Sequence, residues 1–320
     1  MNKKELSILK ELLHNSRASK KEIGKNTRLS REVVDYHIKQ LEKKGIILGY
    51  EARVNLNYFS NQTYHMVIKL RNKGLKDEIA EFIKSLKYTH FVGIMSGNWD
   101  LLLGFTTKKL HDLEVYIESL YEKYGPDIQE YELITELKEI KDDFSCILDP
   151  TNFTSKVSKT DVEHKMKLDD IDRKLLKHLT PNANLSAVNL AVEFKMSSVA
   201  IAKRIKNLVE NEVILNFRII MNLPVLGYEL NYIFFSIKNP NPTNNKSVEK
   251  ELIANPNIPF ATKFIGKYSY MCLICSKGTQ EYAKILDELL MKLPEVTYLE
   301  TITFVKQVEH TYIPEGFLDE

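Results

Sequence analysis

Through the stretch Leu29–Tyr50, LSREVVDYHIKQLEKKGIILGY, apolar residues fall at Val34, Ile38 and Leu41. Spacings of four and three put them on one stripe of a helix, with Glu32, Asp35, Tyr36, Lys39 and Lys43 projecting from the other side. Ser30 precedes the stripe, where its hydroxyl can accept from the free N–H groups of the first turn. Gly45 follows it, where a left-handed residue ends a helix, and Ile46, Ile47 and Leu48 make a short β-prone run. Upstream, Ile8, Leu9, Leu12 and Leu13 mark another amphipathic helix, and Ile23-Gly24 sits in a short third one. Three helices and then a strand predict a winged helix-turn-helix, whose last helix enters the DNA major groove.

The same pattern returns 167 residues later as Met196–Phe217, MSSVAIAKRIKNLVENEVILNF. Ser30 falls on Ser197, Ile38 on Ile205, Lys39 on Lys206, Leu41 on Leu208 and Ile47 on Ile214 without a gap. An ungapped repeat of this length signals duplication of a whole unit. Between the copies, 63–71 alternates as a strand, 75–86 carries one apolar helical face, and 91–106 reads as a hairpin around Ser96-Gly97-Asn98. A helix over 109–124 and a strand over 129–138 complete the order β-α-β-β-α-β, the ferredoxin-like arrangement. The second copy repeats it with strands at 229–238, 260–265, 268–276 and 296–306 and helices at 247–254 and 280–292.

The expected fold is therefore α+β, with two winged helix-turn-helix domains (1–56 and 167–223) alternating with two ferredoxin-like domains (60–141 and 228–312). The polar, aperiodic segment 142–166 is expected to be a linker.

Charge sharpens the picture. Residues 1–50 hold 12 Lys and Arg against 6 Asp and Glu, in a chain whose net charge is only +2. That local excess is the footprint of phosphate contacts. The second unit, 168–218, holds 8 basic against 6 acidic residues, so it is expected to bind DNA more weakly than the first. Candidate DNA contacts are Ser30, Arg31, Glu32, Asp35, Tyr36, Lys39 and Lys43 in one copy, and Ser197, Lys203, Arg204 and Lys206 in the other.

No apolar run approaches the roughly 20 residues that span a bilayer, and the N-terminal MNKKELSILKELL lacks the features of a signal peptide. Three cysteines in 320 residues imply no disulfide framework and fit a reducing cytoplasm. Cys272 and Cys275 have the spacing of a metal pair. They lie in an apolar strand where positions three apart face opposite ways, so a buried core pair is expected, with no metal and no cofactor.

With those residues in place, the chain resembles a tandem duplication of the Lrp/AsnC (feast/famine) family of transcription regulators. LDDIDRKLLKHL, at 168–179, is similar to that family's helix entrance, and Ser30–Ile47 to its recognition helix, with His37 where an arginine is usual. Arg204 keeps that arginine, but Glu212 replaces the glycine held by Gly45. Gly97-Asn98-Trp99-Asp100 resembles the sensing domain's GxYD turn; Gly266-Lys267-Tyr268-Ser269 has lost the acid. The resemblance implies double-stranded DNA as partner. It also implies an amino-acid or other small-molecule effector near Gly97, Asn98, Trp99, Asp100, Gly266, Lys267 and Tyr268. The sensing domains are expected to pair through their sheets, as an intramolecular pseudo-dimer or a homo-oligomer.

Two alternatives differ in class. Sirohaem decarboxylases resemble the same family and carry an HNY-like pattern at the first hairpin strand, where this chain has Thr89-His90-Phe91 and, in the second copy, Ile258-Pro259-Phe260. A sensor that no longer touches DNA would suit the diverged second recognition helix but not the basic first one.

Overall fold

In the computed structural model, which describes residues 1–59, 61–150, 166–311 and 313, helix α1 (Lys3–His14) opens on a capping box. The Asn2 side chain accepts from the Glu5 N–H at 2.9 Å, and the Glu5 carboxylate accepts from the Asn2 N–H at 3.0 Å. Helices α2 (Lys20–Thr27) and α3 (Arg31–Lys43) follow, capped by Ser19 and Ser30. Gly45 at φ 65° ends α3 and releases strand β1 (Ile47–Val54).

The first sensing half contains β2 (Gln62–Leu70), α4 (Lys76–Ser85), β3 (Thr89–Gly97), β4 (Leu101–Thr107), α5 (Leu110–Tyr124) and β5 (Ile128–Asp142). A short α6 (Ser145–Leu148) lies within the stretch expected to be linker, of which residues 151–165 are outside those described. The second unit repeats the programme as α7 (Asp170–Leu179), α8 (Ala187–Phe194), α9 (Ser198–Glu210) and β6 (Ile214–Met221). Its sensing half contains β7 (Glu229–Ile237), α10 (Pro242–Ala254), β8 (Phe260–Ile265), β9 (Tyr270–Ser276), α11 (Thr279–Lys292) and β10 (Val296–His310).

Three differences from the sequence reading have physical causes. Strands β5 and β10 run to Asp142 and His310 because each pairs with two neighbours, one in its own half and one in the other. Their charged ends find ionic partners instead of an apolar face, so alternation disappears there. Helix α10 starts five residues before the expected 247, because Asn241 caps it with Pro242 in the first turn and the polar run that follows hides the period.

The two halves close on each other. Two four-stranded sheets, β3-β4-β2-β5 and β8-β9-β7-β10, join through β5–β8 and β10–β3 into one eight-stranded barrel. Helices α4 and α5 cover one outer wall and α10 and α11 the other, each over its own apolar cluster. Lys138 reaches Glu249 at 2.7 Å, and Lys141 donates to the terminal carbonyls of α10, Ile253 and Asn255, at 3.0 and 2.7 Å. Closure leaves the barrel without a free edge.

Strands β1 and β6 pair antiparallel as a separate ribbon, and the helical units trade residues across it. Ala52 and Val54 of β1 pack into the second unit's core, while Ile219 of β6 packs into the first. Ser16 N–H donates to Phe217 O and Ala183 N–H to Tyr50 O, both at 2.9 Å, which are equivalent bonds in the two copies. At the ribbon's centre Glu51 faces Arg218, its own counterpart 167 residues on. Arg218 Nε donates to Glu51 at 2.8 Å and its Nη1 to Asp142 at 2.7 Å, while His310 Nδ1 lies 3.4 Å from Glu51.

Burial alone would raise the Glu51 carboxyl; Arg218 and His310 outweigh it and hold it below the ordinary 4.5. A depressed folded-state value stabilises the fold above the unfolded value and is lost as pH falls through it. Urea titrations from pH 5 to 3 should therefore show a steeper acid loss for the natural chain than for Glu51→Gln. Arg218→Ala, which removes the guanidinium shared by the buried carboxylates of Glu51 and Asp142, should cost about 3 kcal/mol at neutral pH.

Candidate functional site

The outward face of α3 is charged. Ser30 accepts from the Val33 N–H at 3.3 Å and starts the helix, placing Arg31 and Glu32 in its first turn. Asp35 lies between Lys20 and Lys39, and those two ammonium groups hold its carboxyl down at about 2. Tyr36 is 59% exposed beside them, and Lys43 is exposed in the last turn.

In α9, Ser197 caps Ala200 at 3.1 Å and Lys203 and Lys206 point outward, Lys206 within 3.4 Å of Glu210. Arg204 points elsewhere: its guanidinium bonds Asp169 and Asp172, both at 2.8 Å, and clamps α9 to the capping box of α7. The sequence named this arginine as a DNA contact, but those two acids hold it in the structure. In the first copy Lys44 reaches Glu5 instead, at 2.7 Å. Glu212, in the place of Gly45, takes φ 56° all the same.

The two sensing turns sit at one end of the barrel, against the opposite half. Gly97 at φ 128° packs on β10, where an added Cβ would lie 3.2 Å from Thr301 O. Gly266 at φ 137° packs on β5, with Ile134 at 3.1 Å. Trp99 and its counterpart Tyr268 are both buried and meet across the pseudo-dyad, the indole N–H donating to the Tyr268 hydroxyl at 3.3 Å. Tyr268 donates in turn to Glu300, which also accepts from Asn98 at 2.8 Å and Tyr298 at 3.2 Å. Lys267 spreads over Trp99, Tyr268 and Tyr298 at 5.1 to 5.6 Å. Asp100 is buried against Lys76 at 2.6 Å and accepts from the Leu70 N–H at 2.9 Å, so it fixes the turn to its own sheet and helix.

The other end of the barrel, beneath the β1–β6 ribbon, opens as a cavity of about 550 Å³. Tyr232, Phe260 and Phe304 give it apolar walls, and His65, His90, His310 and Arg218 give it polar groups. His65 Nε2 bonds Glu136 at 2.9 Å, while His65 Nδ1 and His90 Nε2 are buried without a hydrogen-bond partner among the described residues. Gly104 makes room for the His90 ring, since a Cβ there would fall 2.5 Å from it. Burial, then the neighbouring His65 and His310, push the His90 imidazole well below its usual value. The sequence singles out His90 but not this cavity, because its lining comes from all ten strands, α1 and the segments between them and shares no spacing. Cys272 packs under the helices and Cys275 toward α6, on opposite faces, and burial pushes the Cys272 thiol up to about 12.

Comparison with known proteins agrees with this layout. Residues 1–47 match the winged helix-turn-helix DNA-binding model, 168–209 the AsnC-type helix-turn-helix domain and 232–314 the Lrp/AsnC ligand binding domain. An HTH-type transcriptional regulator of Pyrococcus abyssi is 30% identical over 137 residues, which cover 91% of that protein and 42% of this chain. The chain belongs to the Lrp/AsnC family. Transcriptional regulator AzlB of Bacillus subtilis is 27% identical, covering 86% of its length and 42% of this chain, and the leucine-responsive regulatory protein of Rhizobium meliloti 23%, covering 94% and 45%. Each of these relatives thus matches less than half of this Lrp/AsnC chain, as a duplicated unit requires. Over its full length the chain has the fold of the sirohaem decarboxylase NirDL, with a TM-score of 0.64, 9% identity, and 99% and 96% of the two chains covered. The protein is a DNA-binding transcription regulator of Lrp/AsnC type with a ligand-binding domain. No described helix is long and apolar enough to cross a membrane.

A neutral, enclosed His90 makes a direct expectation. Its ring proton resonances should stay constant between pH 7.5 and 5.5 in an NMR titration.

Proposed function

We propose that this regulator binds its operator chiefly through α3, with Arg31, Lys39 and Lys43 on phosphates and Glu32, Asp35 and Tyr36 at base edges. α9 joins through Ser197, Lys203 and Lys206. The observation that carries this reading is the capped α3 of a basic unit, whose outward face is left uncovered beside a paired wing. An amino acid or similar small molecule acts as effector at the sensing turns, where Glu300 and Lys267 offer charges for an ammonium and a carboxylate and Trp99 and Tyr298 an aromatic wall. The chain works in the cytoplasm as an intramolecular pseudo-dimer without catalytic activity, alone or as a building block of larger homo-oligomers.

One observation favours a second reading. The full-length fold likeness is to a sirohaem decarboxylase, one structure of which is a co-complex with an iron-uroporphyrin III analogue. The cavity with His65 and His90 supplies this chain with a room of its own for a large ligand. On that reading the protein takes up sirohaem and acts on it.

Titration of a mixed-sequence duplex at two salt concentrations, after recording the visible spectrum, separates the two. The regulator reading expects a colourless protein whose affinity falls steeply with salt. Lys39→Ala should weaken binding across all sequences and lower the salt slope by about 1, whereas Tyr36→Ala should change preference more than affinity. No DNA binding at low salt together with tight uptake of sirohaem would put the enzyme in its place.

A further inference from the structure

Duplication allows equivalent surface positions to be compared within one molecule. Outward on α2 and the start of α3 stand Lys20, Lys21, Lys25, Arg31, Glu32 and Asp35; 167 residues on, the counterparts are Ala187, Val188, Val192, Ser198, Val199 and Ala202. A charged face has become an apolar one. Val188, Val192 and Val199 are 63%, 79% and 76% exposed, so at these three positions the change serves no core among the described residues.

The helices bearing these faces are otherwise alike. Both start from a serine cap, both bury the same stripe (Val34, Ile38 and Leu41; Ile201, Ile205 and Leu208), and both lead into one ribbon whose pseudo-dyad passes between Glu51 and Arg218. Val199 and Ala202 therefore occupy the groove-facing positions of α9, continuous with Lys203 and Lys206, which remain for phosphates. In the major groove an apolar side chain has one matching feature, the C5-methyl of thymine, whereas carboxylates match the amino group of cytosine.

We propose that the two units read unlike half-sites, so that the operator is non-palindromic and has a fixed polarity. The half under α9 is recognised through thymine methyls against Val199 and Ala202, and the half under α3 through polar base edges. This rests on the DNA-binding reading and adds what the DNA must contain. With Lys21 and Lys25 replaced by valines, base contacts carry a larger share of affinity in the α9 half.

The test is selection of binding sites from a random duplex library with the full chain, followed by replacement of thymine by deoxyuridine in either half of the selected site. The expected site is asymmetric. Deoxyuridine in the α9 half should weaken binding roughly fourfold for each methyl contacted, the value of one buried methyl group. The same replacement in the other half should leave affinity within about twofold. Val199→Ala, at an exposed position, should lower affinity for the thymine site and shrink the thymine-to-deoxyuridine ratio. A palindromic selected site, or indifference to deoxyuridine in both halves, would overturn the proposal. Protection of the α3 half alone would overturn it too, assigning the valines to a protein partner. Absence of any enriched sequence would instead remove the underlying DNA-binding reading.

Discussion

The contact between Glu51 and Arg218 sets the terms for the rest of the molecule. In a symmetric dimer, a residue on the two-fold axis of an antiparallel ribbon faces its own copy. Either side chain alone would put two like charges into a buried site. Duplication within one chain lets the two positions differ, and here they have become an ion pair that also engages Asp142 and His310. Because Asp142 belongs to the barrel and Arg218 to the wing ribbon, the pair fastens the reading helices to the sensing half at the point where both approximate symmetries meet.

The same freedom shows at the far end of the barrel. Trp99 and Tyr268 are equivalent positions that meet as donor and acceptor, with Glu300 completing the chain of hydrogen bonds. Asp100 keeps its buried bond to Lys76, whereas its counterpart Ser269 has no acid to offer. The two halves share a backbone plan and have distributed the polar work unequally over it. That inequality reaches the surface in the contrast between the α3 and α9 faces.

Much of this was legible in the residues. The stripe Val34, Ile38, Leu41, the serine caps and Gly45 specify helices through local rules, and the constant offset between copies exposes the duplication. Glu212 shows where local chemistry yields to context: it adopts a left-handed conformation because the duplicated scaffold requires one there. The length of β5 was not legible, since its end is stabilised by charges contributed from 76 and 86 residues away, Arg218 on Asp142 and Arg53 on Glu139. Arg204 looked like a groove residue by position, and only the fold brings Asp169 and Asp172 to it. The cavity had no sequence signature at all, because it exists only where a ribbon built from both units caps a barrel built from both units.

Barrel closure has one more consequence, for dosage. Ordinary two-headed regulators must first find a second subunit, so the concentration of paired heads rises faster than that of the protein and falls away when the protein is scarce. Here both ribbon strands and all eight barrel strands come from one polypeptide. Each molecule made already carries both helix-turn-helix units on one barrel. Paired reading heads therefore accumulate in direct proportion to synthesis, down to a single copy per cell.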